Sequence, residues 1–217
     1  MMLNVIYEDN HIIAVSKPAG IPVQRGYKGE SLDLMVKEYL KTKYKKSGNV
    51  FLGIVHRLDQ PVSGIVLFAK TSKGASRLSE QFRERKIEKL YRAVLVGKIK
   101  EKKGTLKTMI RKEGKNYFRA RTGEGGKEAE LEYRVVKEGA RNSLAEIKLG
   151  TGRFHQIRAQ MGSIGHPVLG DVKYGSPVVL PGGKIALHSS KISFKAATEE
   201  RTVNLTVADP DFFADIL

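Results

Sequence analysis

The chain has 217 residues, with 39 Lys and Arg against 23 Asp and Glu, a formal net charge of +16 and no cysteine. The lack of thiols excludes disulfides, a thiolate zinc site and a cysteine nucleophile, and His11, His56, His155, His166 and His188 show no ligand spacing, so no metal is expected. No apolar run approaches the roughly 20 residues that span a bilayer and Met1-Met2-Leu3-Asn4 lacks a signal pattern, so we expect a cytoplasmic chain whose charge suits a nucleic acid rather than a membrane.

Leu3 to Glu8 and Ile12 to Lys17 read as two short strands across the turn formers Asp9-Asn10, with Lys17-Pro18-Ala19-Gly20 ending the second. From Ser31, the positions Leu32, Met35, Val36, Tyr39 and Leu40 follow helical spacing behind a serine cap. The helix fades into Lys41, Lys43, Lys45 and Lys46, read as a solvated end. Val55-His56-Arg57-Leu58-Asp59-Gln60-Pro61-Val62-Ser63-Gly64 then forms a tight turn ahead of the apolar strand Ile65 to Ala69. Read from the residues alone, Asp59 is either a turn cap paired with Arg57 or a carboxylate presented rigidly to a substrate. A second helix is expected from about Thr71 to Lys86, burying Ala75, Leu78 and Phe82 and exposing Arg77, Arg83 and Arg85.

Ile87 to Gly97 reads as a strand with Tyr91 near its start. Between Thr105 and Arg121 lie Lys107, Arg111, Lys112, Lys115, Arg119 and Arg121 against the single acid Glu113. This predicts a basic hairpin over about 105–122 whose weak apolar alternation leaves it projecting from the body to grip phosphates. Strands follow at about 127–136 and 143–149. Gly150-Thr151-Gly152-Arg153-Phe154-His155-Gln156-Ile157-Arg158 leads into a helix with Ile157, Met161 and Ile164 inward. A cation at a helix N-terminus opposes the dipole and needs a reason to be there, but spacing does not choose between Arg153 and Arg158. Gly165 to Gly175 precedes closing strands at 184–194 and 201–207, and Asp209-Pro210-Asp211 starts a terminal helix.

The turn at 55–64 resembles the signature His-Arg-Leu-Asp-x-x-Thr-Ser-Gly of the RluA-type pseudouridine synthases. Three further stretches match in order. Lys89-Leu90-Tyr91 is similar to the second family motif, 151–158 to Thr-Gly-Arg-Thr-His-Gln-Ile-Arg, and Gly165 to Gly175 to the phrase that follows it. The opening Tyr7-Glu8-Asp9 … Lys17-Pro18-Ala19-Gly20 is also of family type. Valine at 62 and phenylalanine at 154 stand where threonine is usual, each removing a hydroxyl.

The resemblance implies an α+β fold on a long mixed, mostly antiparallel sheet. It implies one catalytic domain over 1–217, without the small RNA-binding domain that many relatives carry in front. The activity implied is isomerisation of a specific uridine in structured ribosomal or transfer RNA, in a stem-loop, by a monomer without cofactor. Asp59 is then the catalytic carboxylate, Arg158 the cation that holds it ionised, and Tyr91 the ring that packs on the base and relays the last proton. A uridine inside folded RNA must be flipped out at a cost of a few kcal/mol. Arg57 fills the vacated place, and His56 contacts the backbone or the orphaned base or simply completes its turn. Arg153, Lys112 and Lys115 contact phosphate, Ile157 supports Tyr91, and the hairpin and the loop at about 167–183 grip the RNA. Two other readings compete. A catalytically silent RNA-binding or ribosome-assembly protein would not need Asp59, Tyr91 and Arg158 intact, and a conventional glycosidase would need a second convergent carboxylate.

Overall fold

β-branched runs and two-residue alternation give this chain more strand than helix in the computed structural model, which describes residues 3–24, 29–114 and 119–217. In chain order the elements begin with β1 (Asn4–Glu8), β2 (Ile12–Lys17), α1 (Leu32–Lys43), β3 (Gly53–Ile54), β4 (Ser63–Ala69) and α2 (Ser72–Arg83). Then come β5 (Glu88–Val96), β6 (Lys103–Glu113), β7 (Arg119–Thr122), β8 (Lys127–Glu138), β9 (Asn142–Leu149) and α3 (Gln156–Ser163). β10 (Leu187–Lys195), β11 (Thr202–Thr206) and α4 (Phe212–Asp215) close the chain. No helix among the described residues is long and apolar enough to cross a membrane. The chain forms two compact units, 1–88 with 190–207 and 89–189 with 208–217.

In the first unit the strand order is β1-β2-β4-β10, with β3 against β4 and β11 against β10. β4 is buried at every position, as expected for an apolar run covered on both faces. Its second residue, Gly64, has φ of 115°, a left-handed backbone that favours glycine. The core joins Ile12, Ala14, Ile65 and Leu67 to Leu78 of α2 and to Ile192, Phe194 and Val203. α1 buries Leu32, Val36 and Leu40 as its spacing predicts. Ser31 differs from expectation: its hydroxyl donates to Asp33 Oδ1 at 2.5 Å and makes no bond to a helix N–H. α2 is capped by Thr71, which accepts from Gly74 N at 3.1 Å. Gly74 is required there, because a Cβ would lie 2.5 Å from the His11 carbonyl oxygen. The helix stops at Arg83 rather than Lys86, since Arg85 adopts φ of 58° and breaks the ladder.

In the second unit the order is β5-β9-β8-β6-β7, every neighbouring pair antiparallel. One expectation about the basic hairpin fails. The β6–β7 ribbon does pack on a core, because Ile110 and Ala120 share one face and are buried with Ala129, Ala159 of α3 and Tyr174. The apolar signal was sparse but kept its period of two, which suffices to seat one face of a ribbon while Arg111, Arg119 and Arg121 stay exposed. In α3, Ile157 and Met161 are buried but Ile164 is exposed, as the helix has ended at Ser163.

One buried carboxylate ties the edge of the first unit together. Glu8 accepts from Lys70 Nζ at 2.6 Å, Lys43 Nζ at 2.7 Å, Tyr44 Oη at 2.7 Å and Tyr39 Oη at 3.0 Å. Burial by itself would raise its pKa, but these four donors bring it down to about 2. The contribution is therefore present above the unfolded value of 4.5 and is lost as pH falls from 4.5 through about 2. We expect Glu8→Ala to lose on the order of 2 kcal/mol at neutral pH, by stranding the nearly buried Lys70. Glu8→Gln should flatten the acid limb of stability. Urea midpoints between pH 2 and pH 7 check both, and an unchanged acid limb in Glu8→Gln would refute the assignment.

Candidate active site

Lys17 organises the turn that carries Asp59. It sits in the same β2 phase as Ile13 and Val15 and is 1% exposed. Its ammonium donates to Ile21 O at 2.8 Å, Pro18 O at 3.0 Å and Gln60 O at 3.1 Å, matching three N–H bonds to three carbonyls. The Gln60 carbonyl also accepts from Gly20 N at 2.8 Å, and the Gln60 side chain returns a bond to Gly20 O at 2.9 Å. The turn closes with Val62 N donating to Asp59 O at 3.1 Å. Val62 itself is buried at 2%, so the methyl that replaces a hydroxyl here fills core.

Asp59 is half-buried in this turn and Arg57 is exposed. His56 is built into the fold: its ring stacks on Phe82 at 4.8 Å and its Nε2 accepts from Leu67 N at 2.8 Å, which puts the proton of the neutral ring on Nδ1. Burial pushes Lys17 down to about 8, and the negative charge of Asp59 opposes that shift.

In the second unit, Tyr91 is nearly buried on β5, opposite Ile147 of β9. Lys89, two residues earlier, is pushed to lower pKa by burial, and a Cβ at residue 152 would lie 3.4 Å from its ammonium. The turn before α3 is held by a polar lattice. Thr151 Oγ1 donates to Gln156 Oε1 at 2.7 Å and accepts from Glu130 N at 2.9 Å, while Gln156 Nε2 donates to Glu130 O at 2.9 Å. Arg153 lies outside the helix, partly exposed, with Nε on Glu128 O at 2.8 Å.

Arg158 is of a different kind. It is 5% exposed in the first turn of α3 and is gripped by Asp171, with Nε to Oδ2 at 2.6 Å and Nη2 to Oδ1 at 3.0 Å. The Tyr174 ring covers its Cζ at 5.1 Å. A buried cation at a helix N-terminus is unfavourable by itself, and Asp171, itself 2% exposed, supplies the opposing charge. Ile157 beside it is 4% exposed. Lys112 projects from β6 with its ammonium 5.3 Å from the Phe154 ring; Lys115 lies outside the described residues. The loop at 167–183 is half core, with Val168, Leu169, Asp171 and Tyr174 buried, and half surface, with Val172 and Val179 exposed.

Lys17, Asp171 and Tyr174 were not singled out by sequence. For Lys17 a signal existed: a lysine in the apolar phase of a strand, followed by Pro-x-Gly, is a buried cation in need of carbonyls. The shift of Lys17 gives a test. Its folded value lies below the unfolded 10.5, so between pH 8 and 10.5 the unfolded chain holds the proton more firmly and this residue's contribution to stability rises with pH. Urea midpoints across that range should rise relative to those of Lys17→Met, and parallel curves would contradict a depressed Lys17.

The sequence matches the family model for RNA pseudouridylate synthase over residues 11–163. It is 35% identical to the RNA pseudouridine synthase YhcT of Bacillus subtilis, over 99% of this chain and 70% of that one. It is 36% identical to ribosomal large subunit pseudouridine synthase C of Rickettsia bellii, over 96% of this chain and 69% of that one. Against an Aquifex aeolicus RNA pseudouridine synthase identity is 40%, with 80% of this chain and 56% of that one covered. In structure it resembles human RNA pseudouridylate synthase domain containing 4, with a TM-score of 0.80, 22% identity and coverage of 97% and 90% of the two chains. The four motif stretches are thus set in an α+β fold of pseudouridine-synthase type, and the chain belongs to the RNA pseudouridylate synthase family, RluA type, whose members are RNA isomerases.

Proposed function

We propose that this chain isomerises a uridine of ribosomal RNA to pseudouridine in the cytoplasm, with Asp59 as the catalytic carboxylate. The observation that carries the reading is the 55–64 turn, where a half-buried acid is held on a scaffold fastened by a buried lysine. A carboxylate so fixed is suited to act repeatedly at one atom. Relatives named as ribosomal large subunit pseudouridine synthases support ribosomal over transfer RNA. The chain spans between 56% and 70% of the length of these and the other relatives cited.

The reaction breaks the bond from ribose C1′ to uracil N1, turns the base, joins C1′ to C5, moves the C5 proton away and returns a proton to N1. Electrons balance within the substrate, so no redox partner is required. Asp59 provides the nucleophilic or charge-stabilising group. Arg158, immobilised by Asp171, provides a fixed positive charge for that carboxylate. Tyr91 packs on the base and its hydroxyl relays the last proton. The target uridine is flipped from a stem-loop, with Arg57 entering the vacated space. His56, Ile157 and Arg153 shape the surroundings, and Lys112 and Lys115 bind phosphate.

Asp59→Ala should abolish pseudouridine formation while leaving RNA affinity within a few-fold. Pseudouridine mapping in ribosomal and transfer RNA from cells with and without the gene, followed by turnover of the purified variant, checks this. Measurable turnover by Asp59→Ala would sink the assignment. RNA affinity should fall steeply with salt, and replacing Lys112 and Lys115 by alanine should flatten the log–log slope by about one unit per lost phosphate contact.

The two arginines should separate kinetically. Arg158→Met should lower kcat by about a hundredfold or more, whereas Arg153→Ala should mainly raise KM. Single-turnover rates against RNA concentration distinguish them, and the opposite pattern would mean the roles are exchanged.

A further inference from the structure

Phe154 stands where the family phrase has threonine, and no step of the proposed reaction uses it. Its ring is half-buried at the edge of the cluster formed by Ile110, Ala120, Ala129, Ala159 and Tyr174. One face is backed by His155, whose ring is stacked on it with centroids 3.8 Å apart and planes 19° from parallel. His155 is locked there. Its backbone takes the left-handed φ of 52°, uncommon for a residue with a Cβ, and its Nδ1 meets the Tyr174 hydroxyl at 2.8 Å. That hydroxyl also accepts from Ala120 N of β7 at 2.7 Å, so the ring pair is fastened to the basic hairpin. Near Phe154 lies the ammonium of Lys112, 5.3 Å from the ring centroid on an exposed side chain.

We propose that Phe154 and Lys112 form a nucleotide subsite, in which Phe154 stacks on an unpaired base flanking the target uridine and Lys112 moves from the ring to that nucleotide's phosphate. This deepens the reading of the chain as an enzyme acting on RNA and rests on it. Magnitudes favour the exchange. A base stacked on an aromatic side chain is held more firmly than an exposed ammonium over the same ring. Lys112 gains a phosphate as it leaves, and Phe154 cannot retreat because His155 supports it from behind. A threonine at 154 could offer no such face, so the subsite distinguishes this chain from relatives with the usual residue.

The chain contains no tryptophan, so Phe154→Trp places a single reporter at the subsite. The probe is an RNA hairpin with a loop of mixed uridine and adenosine, together with versions in which one loop nucleotide at a time is abasic. We expect quenching of Phe154→Trp on binding the intact loop and loss of that quenching at one abasic position. At that position wild type should bind about five- to a hundredfold more weakly than to the intact loop, while Phe154→Thr should not distinguish the two RNAs and Phe154→Tyr should behave as wild type. Equal abasic penalties in wild type and Phe154→Thr, or no position-dependent quenching, would overturn the proposal. Pseudouridine formation by wild type, assayed in parallel on ribosomal RNA, separates this failure from failure of the enzymatic reading.

Discussion

The buried ion pair between Arg158 and Asp171 is the constraint on which the second unit depends. Removing two charges from water is unfavourable by several kcal/mol each, and the pair persists only with tight geometry and with its remaining groups bonded. The fold around it meets that demand. Asp171 is the pivot of its own loop, taking its N–H to Val168 O and receiving Tyr174 N and Ser176 N on its carbonyl. Tyr174 thereby reaches a place where its ring covers the guanidinium and its hydroxyl joins β7 to His155. One charge pair thus dictates the course of a loop, the seating of a ribbon and the orientation of a ring. A lysine at 158 would keep the charge and lose the planar two-point grip.

The first unit uses the same idea with different partners. Lys17 is surrounded by carbonyl oxygens instead of a carboxylate in contact, and those carbonyls belong to two segments distant in sequence, 18–21 and Gln60. Dipoles rather than a full charge in contact satisfy it, and the negative charge of Asp59 opposes the downward push of burial on Lys17. In each unit a buried cation serves as a structural fastener. Such rigidity fixes the placement and the field that a reacting group meets.

The charge of +16 has a different character. Part of it is exposed on the hairpin, where Arg111 and Arg121 share the carboxylate Glu113 and Arg119 lies over Tyr174. Exposed pairs of this kind add little to stability. The ribbon is held instead by its apolar face, and the cations remain available to a polyanion. Separation of tasks between the two faces of one ribbon follows from the strand's period of two.

What the sequence by itself determined was whatever depends on local pattern. The first hairpin, both long helices, the β5 strand through Tyr91 and the closing strands are carried by periodicity, and their observed bounds differ from expectation by a few residues where a left-handed Arg85 or the end of α3 at Ser163 intervenes. The motif at 55–64 carried the family. Spacing could not choose between Arg153 and Arg158, because their difference lies in what surrounds them: one rests on a backbone carbonyl at the surface, the other is sealed against a carboxylate 13 residues onward. Nor could sequence show that Lys17 binds Gln60, that Asp171 binds Arg158, or that Phe154 stacks on its own neighbour under Lys112. These contacts are decided by desolvation and hydrogen-bond satisfaction once the chain is compact. Only the tertiary structure brings the carbonyls, the carboxylate and the rings within reach of the groups that would otherwise be buried without partners.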